Sequence, residues 1–350
     1  MDICKLLDLI EKEYLPRARW WPWKNTTRKI NLVDYDQYNN SLFFLIESSN
    51  HMFQLPLVRV NAIPNTLRDR GFCIESDCFV EAEYTEFYLY FFYKLSKSRF
   101  KLVDEKVATV EVYRAEPITL ESTNAISLYE SNIGRIVLKS YRLLPEVNLE
   151  VKILERLTEL RYRYIPRIHG FLYYNDMASG ILLMDYIKGK GDGGAPFYQS
   201  FARYLSGDEL AHERGLSVKL GAIVGGLHIF LNEKSMDSFF GVEEVSEIDV
   251  SKWTRRLHRM YNNGLKRLDK ISYSLDRENR EEIDYWRSVV EQEHKIVYDA
   301  ISKIDKHGNI YYKARTHQDL HLAQMIYTGD RFVDFVITDF EGEPGRSSEE

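Results

Sequence analysis

The sequence predicts an α+β protein of two lobes, β-rich in its first half and helical in its second. Three observations predict this. Short apolar or alternating runs bounded by Asn, Asp, Ser and Gly recur from Ile30 to Ile187, as strands joined by turns do. Long segments of helical period follow, at Leu216 to Leu231, Val250 to Leu268 and Arg277 to Lys306. Between the two regimes lies KGKGDGG, Lys188 to Gly194, a flexible Gly-rich stretch. It lacks P-loop spacing and marks the boundary between lobes.

Composition bounds the function. The chain has 350 residues, 44% hydrophobic and 29% charged, which suits a globular protein with two or more cores. A net charge of -6 offers no basic surface for nucleic acid. The 24 Tyr and 18 Phe are dispersed and read as core packing. The 3 cysteines, Cys4, Cys73 and Cys78, form no framework; free thiols in a reducing compartment are expected. Cys73 and Cys78 have no second pair or His cluster with which to hold zinc. The N-terminus, MDICKLLDLIEKEYL, mixes acidic with apolar residues and reads as an amphipathic helix, not a signal peptide. The longest apolar run, Phe87 to Tyr93, is too short to span a bilayer. A soluble, cytoplasmic protein without nucleic-acid or membrane partners is expected.

Taken in order, the first helix leads into RARWWPWK, Arg17 to Lys24. A Trp-rich turn between basic residues reads as an aromatic plug over a small β core, or as a ligand site rigidified by cation–π contacts. Strands are expected at Ile30 to Tyr35, Leu42 to Glu47, Met52 to Val58 and Phe79 to Tyr84, with turns near Asn39-Asn40 and Ser48 to Asn50. No catalytic constellation precedes about residue 118. Residues 1–117 are therefore expected to form a cap, 118–190 the rest of the N-terminal lobe, and 191–350 a mostly helical C-lobe.

The chemistry begins with Lys139, at the end of the strand Ile136-Val137-Leu138-Lys139. Glu150 follows early in an amphipathic helix, Asn148 to Leu160, whose stripe is Val151, Leu154, Leu157 and Leu160. Alone, these are a strand-end surface lysine and a helix N-terminal carboxylate. In this order they form the pair with which kinases hold the α- and β-phosphates. Gly180 to Ile187 is a strand, and its end, Met184 to Ile187, takes the place of a hinge. There the backbone groups of Met184 and Tyr186 would face an adenine edge. His228, embedded in the Leu216–Leu231 helix with Gly221, Gly225 and Gly226 for close packing, reads as a core histidine.

The segment Arg315 to Arg346 completes the set. It reads RTHQDLHLAQ, a turn at Thr328-Gly329-Asp330, then RFVDFVITDFEGEPGR. Asp319 lies two residues after His317, the amide Gln324 five further on, and Asp339 ends an apolar run. In His-x-Asp-Leu-x-x-x-Asn, the Asp accepts the acceptor hydroxyl's proton and the amide binds a metal, while a later Asp-Phe holds Mg²⁺ on the phosphates. Asp319 and Gln324 fill the first part, Asp339-Phe340 the second, and His317 braces the loop. A hairpin of Met325 to Tyr327 with Val336 to Thr338 would bring Asp339 beside Asp319.

The motifs HQDLHLAQ and VITDFEGEP resemble those of the maltokinases, which in turn resemble aminoglycoside phosphotransferases and, more remotely, protein kinases. The resemblance runs the length of the chain: RARWWPWK is similar to the Arg-x-x-Arg-Trp-Phe-x-x-Lys run that opens the cap, and Gln54 to Leu57 to a cap strand. Glu121 to Ala125 stands where the family has Glu-x-Ser-Asn-Thr-Ser in place of a Gly-rich loop. The resemblance implies a bilobal protein-kinase-like fold and donors to the phosphates at Ser122, Thr123 and Asn124. It also implies ATP and Mg²⁺ as cofactors and phosphoryl transfer to the anomeric hydroxyl of maltose, giving maltose 1-phosphate for α-glucan and trehalose metabolism. Trehalose synthase is the partner it implies. Two features depart from the family: Gln318 replaces its usual Gly, and the sequence stops at Glu350, before further C-terminal helices. Two alternatives stay open: a kinase of the same fold acting on another sugar such as glucosamine, and a truncated, inactive nucleotide-binding protein.

Overall fold

A computed structural model describes residues 3–145, 147–175, 177–207, 211–233, 237, 239–272, 277–303, 310–330 and 332–342. The Pro344-Gly345-Arg346 end of the last motif lies outside the described residues, as does Asp276. The chain divides into two compact units, Met1–Phe230 with His317–Glu350, and Leu231–Thr316.

The first unit opens with α1 (Ile3–Leu9), continued by tighter and wider turns to Arg17. Five antiparallel strands follow: β1 (Asn31–Tyr38), β2 (Ser41–Ser48), β3 (His51–Val60), β4 (Gly71–Ile74) and β5 (Asp77–Glu81), in the order β1-β2-β3-β5-β4. Ser49 and Asn50 both have positive φ, 51° and 63°, as a tight β2–β3 hairpin requires. β2 and β3 are near-continuous apolar runs because both of their faces are covered. On one face Leu6, Ile10, Tyr14, Trp20 and Trp21 pack on Phe44, Ile46, Phe53 and Leu55. On the other, Phe43, Leu45 and Val58 share a core with Tyr88, Phe91 and Phe92 of α2 (Tyr88–Lys94). The tryptophan turn is thus a plug, with Trp20 and Trp21 buried.

The expectation of free thiols is corrected at β4–β5. The register sets Cys73 directly opposite Cys78, and the two are joined as a disulfide. A tight turn through Glu75 (φ 54°) creates this cross-strand pair, and neither spacing nor count reveals a register. Cys4 is free.

The second sheet has the order β6-β10-β11-β9-β8-β7. Its strands are β6 (Ser98–Leu102), β7 (Val112–Thr119), β8 (Ala125–Ser131), β9 (Gly134–Ser140), β10 (Ile168–Tyr174) and β11 (Met177–Asp185), with α3 (Leu149–Glu159) after β9. β6 precedes residue 118 and β7 begins before it, and they pair with β10 and β8; the sheet extends into the stretch expected to be cap alone. β12 (Gly191–Asp192), α4 (Ala195–Leu205) and α5 (Ala211–Leu231) come next.

In the second unit, β13 (Val242–Glu244), α6 (Glu247–Ser272), α7 (Arg277–Lys303) and β14 (Tyr312–Ala314) form a helical hairpin and a two-stranded ribbon. The chain returns to the first unit with β15 (Met325–Tyr327) and β16 (Phe335–Ile337).

Two expectations about α5 are corrected. His228 is exposed rather than embedded. A Cβ added at Gly221 or Gly225 would meet nothing among the described residues, and only at Gly226 would it touch Tyr162, at 3.6 Å. The buried stripe is Leu216, Ile223 and Leu227, and the glycines and His228 fall off that stripe. Among the described residues, no helix is long and apolar enough to cross a membrane.

Candidate active site

Strand β9 carries Lys139 between Ile126 of β8 and Leu182 of β11, and its side chain is buried. Asn148 caps α3 by accepting from the Val151 N–H at 3.1 Å. That cap fixes the first turn, where Glu150 turns inward, 2% exposed. Lys139 Nζ lies 2.6 Å from Glu150 Oε2, and the Tyr141 hydroxyl donates to the same oxygen at 2.8 Å.

The loop at 317–324 is held by the expected hairpin. β15 and β16 pair Met325 with Ile337, and the Thr338 N–H donates to Gln324 O at 2.9 Å. His317 is buried, donates from Nε2 to Thr338 O at 2.9 Å, and packs on the Phe340 ring at 4.5 Å between centroids. It braces the loop from behind. The Gly-rich stretch at 188–194 is structured here: Gly191-Asp192 pairs with β15, and the Gly193 N–H donates to Leu322 O and Met325 O, both at 2.9 Å. Gln318 and Asp339 have φ of 71° and 62°. Both are non-glycine residues in the left-handed region, a strain of about 1–3 kcal/mol each.

Asp339 Oδ1 reaches Lys139 Nζ at 2.9 Å, and Glu341 Oε1 reaches it at 2.5 Å. One ammonium thus meets three carboxyl groups. Burial disfavours the Lys139 charge, but Glu150, Glu341 and Asp339 outweigh it and hold its pKa well above the ordinary lysine value. Burial pushes the Glu150 carboxyl up against the attraction of Lys139, with Glu341 and Asp339 adding to the rise. Burial also works against Asp339, yet the Lys139 charge and hydrogen bonds from Lys139 and Gln324 keep its pKa below the usual carboxylate value.

These groups surround a cavity of about 470 Å³ lined by Ser122, Thr123, Lys139, Glu150, Met184, Asp319, Gln324 and Asp339, among others. Three expected site residues lie outside its lining. His317 stands behind the loop. The Tyr186 N–H donates to Arg135 O at 3.2 Å. Asn124 is buried, accepting from the Arg142 N–H at 3.2 Å and donating to Glu341 Oε1 at 2.8 Å. The residue missed by sequence reasoning is Glu341. Its signal was its place two residues after Asp339 within the Asp-Phe-Glu run.

The donor set fits a hard divalent cation. Glu150, Asp339 and Glu341 each offer a carboxylate oxygen, all within 4.8 Å of one another, and Gln324 adds an amide hydrogen-bonded to Asp339. Oxygen-only donors of this charge suit Mg²⁺.

No protein-family model matches the chain, and no curated protein matches its sequence. Solved structures are similar to it in fold. A glucosamine kinase (crystal form B) aligns with TM-score 0.60 and 16% identity over 98% of this chain and 73% of its own. A glucosamine kinase in complex with glucosamine, ADP and inorganic phosphate aligns with TM-score 0.60 and 15% identity, over 98% and 74%. Crystal form A of glucosamine kinase gives 0.59 and 15%, over 98% and 73%. At such identity, what the chains share is the fold.

Proposed function

We propose that this chain is an ATP-dependent sugar kinase. The observation that carries the reading is the convergence of Lys139, Glu150, Asp319, Gln324 and Asp339 on one cavity, drawn from a strand, a helix and a hairpin. Lys139, held by Glu150, would bind the α- and β-phosphates, and Met184 would lie against the base. Asp319 would orient the acceptor hydroxyl and take its proton as the γ-phosphoryl moves in line. Asp339, Gln324 and Glu341 would hold Mg²⁺, which when bound neutralises phosphate charge. The protein's share of catalysis is positioning and electrostatics.

Two acceptors have specific support. The HQDLHLAQ and DFEGEP motifs favour maltose, with maltose 1-phosphate as product. The likeness to a structure holding glucosamine, ADP and inorganic phosphate favours an amino sugar. ADP release with Mg-ATP, measured in parallel with maltose, glucosamine, glucose and no acceptor, decides between them. The signal should appear with one sugar and vanish in Asp319→Ala. No release with any sugar, while Mg-ATP still raises Tm, would leave a nucleotide-binding protein without kinase activity.

A further inference from the structure

Metal-ligating side chains also converge away from the carboxyl cluster, wholly within the helical unit. On the facing sides of α6 and α7, His258 Nδ1 and His294 Nε2 lie 3.2 Å apart. The same antiparallel register pairs Arg287 with Asp269 nearer the turn.

Neighbouring rings orient both imidazoles. Tyr261, one turn along α6 from His258, stacks on His294 with centroids 4.0 Å apart and planes at 21°. Tyr298, one turn along α7 from His294, lies 5.2 Å from the His258 ring. His258 is exposed and His294 half-buried, so the packed pair is still reachable from solvent.

The spacing serves either of two bonds. One imidazole can donate to the other, or both can present lone pairs to one ion. Two nitrogens bound at about 2.0–2.1 Å to a tetrahedral ion stand about 3.3 Å apart, close to the separation found here. Helix α7 supplies a third ligand. The run Glu291-Gln292-Glu293-His294 places a carboxylate three residues before the histidine, hence on the same helix face. Glu-x-x-His is the spacing with which helix bundles bring both groups to one ion. Glu291 is exposed, so its side chain can turn toward the pair. Two imidazoles and a carboxylate, with water as the fourth ligand, suit Zn²⁺ rather than Mg²⁺. The carboxyl cluster of Glu150, Asp339 and Glu341 offers oxygen alone, so the two sites differ in kind.

The hairpin stands to gain from such an ion. α6 runs for 26 residues and none of them is buried, so little apolar core fixes it to α7. An ion ligated by both helices binds only the folded hairpin and stabilises it by linkage.

We propose that His258, His294 and Glu291 form a Zn²⁺ site that clips α6 to α7. It does not depend on the kinase reading. The test uses the full chain, stripped with EDTA and dialysed, in an Asp339→Asn background that disables the carboxyl cluster as a competitor. Titration with ZnCl₂ should show one bound ion and a rise in Tm. Adding His258→Gln or His294→Gln should lower Zn²⁺ affinity by roughly 10- to 100-fold or more, since even an outer-shell partner is worth that much, and erase the rise in Tm. Glu291→Gln should lower the affinity less. Cu²⁺ in place of Zn²⁺ should give an electron paramagnetic resonance spectrum with coupling to two nitrogens, and to one in either histidine variant. Unchanged Zn²⁺ affinity in the histidine variants overturns the proposal, as does a chain that takes up no Zn²⁺; the His258–His294 contact is then a hydrogen bond alone. A Cu²⁺ spectrum of the background chain without two-nitrogen coupling overturns it independently of how the variants fold. Undiminished affinity in Glu291→Gln overturns the third ligand.

Discussion

Lys139 Nζ and Glu150 Oε2 lie 2.6 Å apart with side chains only 5% and 2% exposed, and Asp339 and Glu341 close on the same ammonium. A buried cation with three carboxyl partners stabilises less by its presence than it destabilises by its removal. Lys139→Met leaves the carboxyls uncompensated and should lower stability by about 3–5 kcal/mol in urea denaturation. Lys139→Met combined with Glu150→Gln should recover part of that. A single-variant loss below ~1 kcal/mol would show that the pair is less tightly coupled than its distance implies.

In the proposed kinase reading Asp319 is the base, not the nucleotide anchor. Asp319→Asn should reduce turnover roughly 10²- to 10⁴-fold and leave the Mg-ADP-induced rise in Tm intact. Unchanged turnover would remove Asp319 from its role.

His317 should make stability depend on pH. Burial pushes its pKa below the ordinary value, more than its contacts with Thr338, Asp339 and Asp319 raise it. Its Nδ1 has no hydrogen-bond partner among the described residues, so a proton added there would be buried without an acceptor. A depressed histidine binds its proton less readily folded than unfolded. Its contribution is therefore fully present above about pH 6.5 and is lost as pH falls from there through the folded pKa. Wild-type stability measured from pH 8 to 5 should show this decline, and His317→Gln should flatten it. An identical slope in the variant would assign the dependence elsewhere.

The oxygen cluster should make nucleotide binding depend on a divalent cation. Mg-ADP should raise Tm more than ADP with EDTA, and Asp339→Asn should erase the difference. A variant that keeps the full Mg²⁺ increment would place the ion on other groups.

Much of this was readable from the sequence because each element declares itself locally. Lys139 ends a β-branched strand, Glu150 follows an Asn cap, and the 315–340 segment folds on its own hairpin. Where local signals ran out, the readings went astray. Cys73 and Cys78 looked unpaired because their bond depends on strand register. His228 looked embedded because an apolar helix does not reveal which stripe is covered. The 188–194 stretch looked flexible because its pairing partner, β15, lies more than a hundred residues on.

By itself, the sequence determined the long helices, most of the strands around Lys139 and the 325–338 hairpin, and the order of the candidate groups along the chain, since these follow from periodicity, capping and spacing over a few residues. Only the tertiary structure decided that Glu341 joins Lys139 and Asn124, sequence neighbours of neither, and that His258 meets His294. Those contacts join chain segments from 36 to 217 residues apart. They form only once packing has met the entropy of bringing such segments together, and no pattern within either segment records its partner.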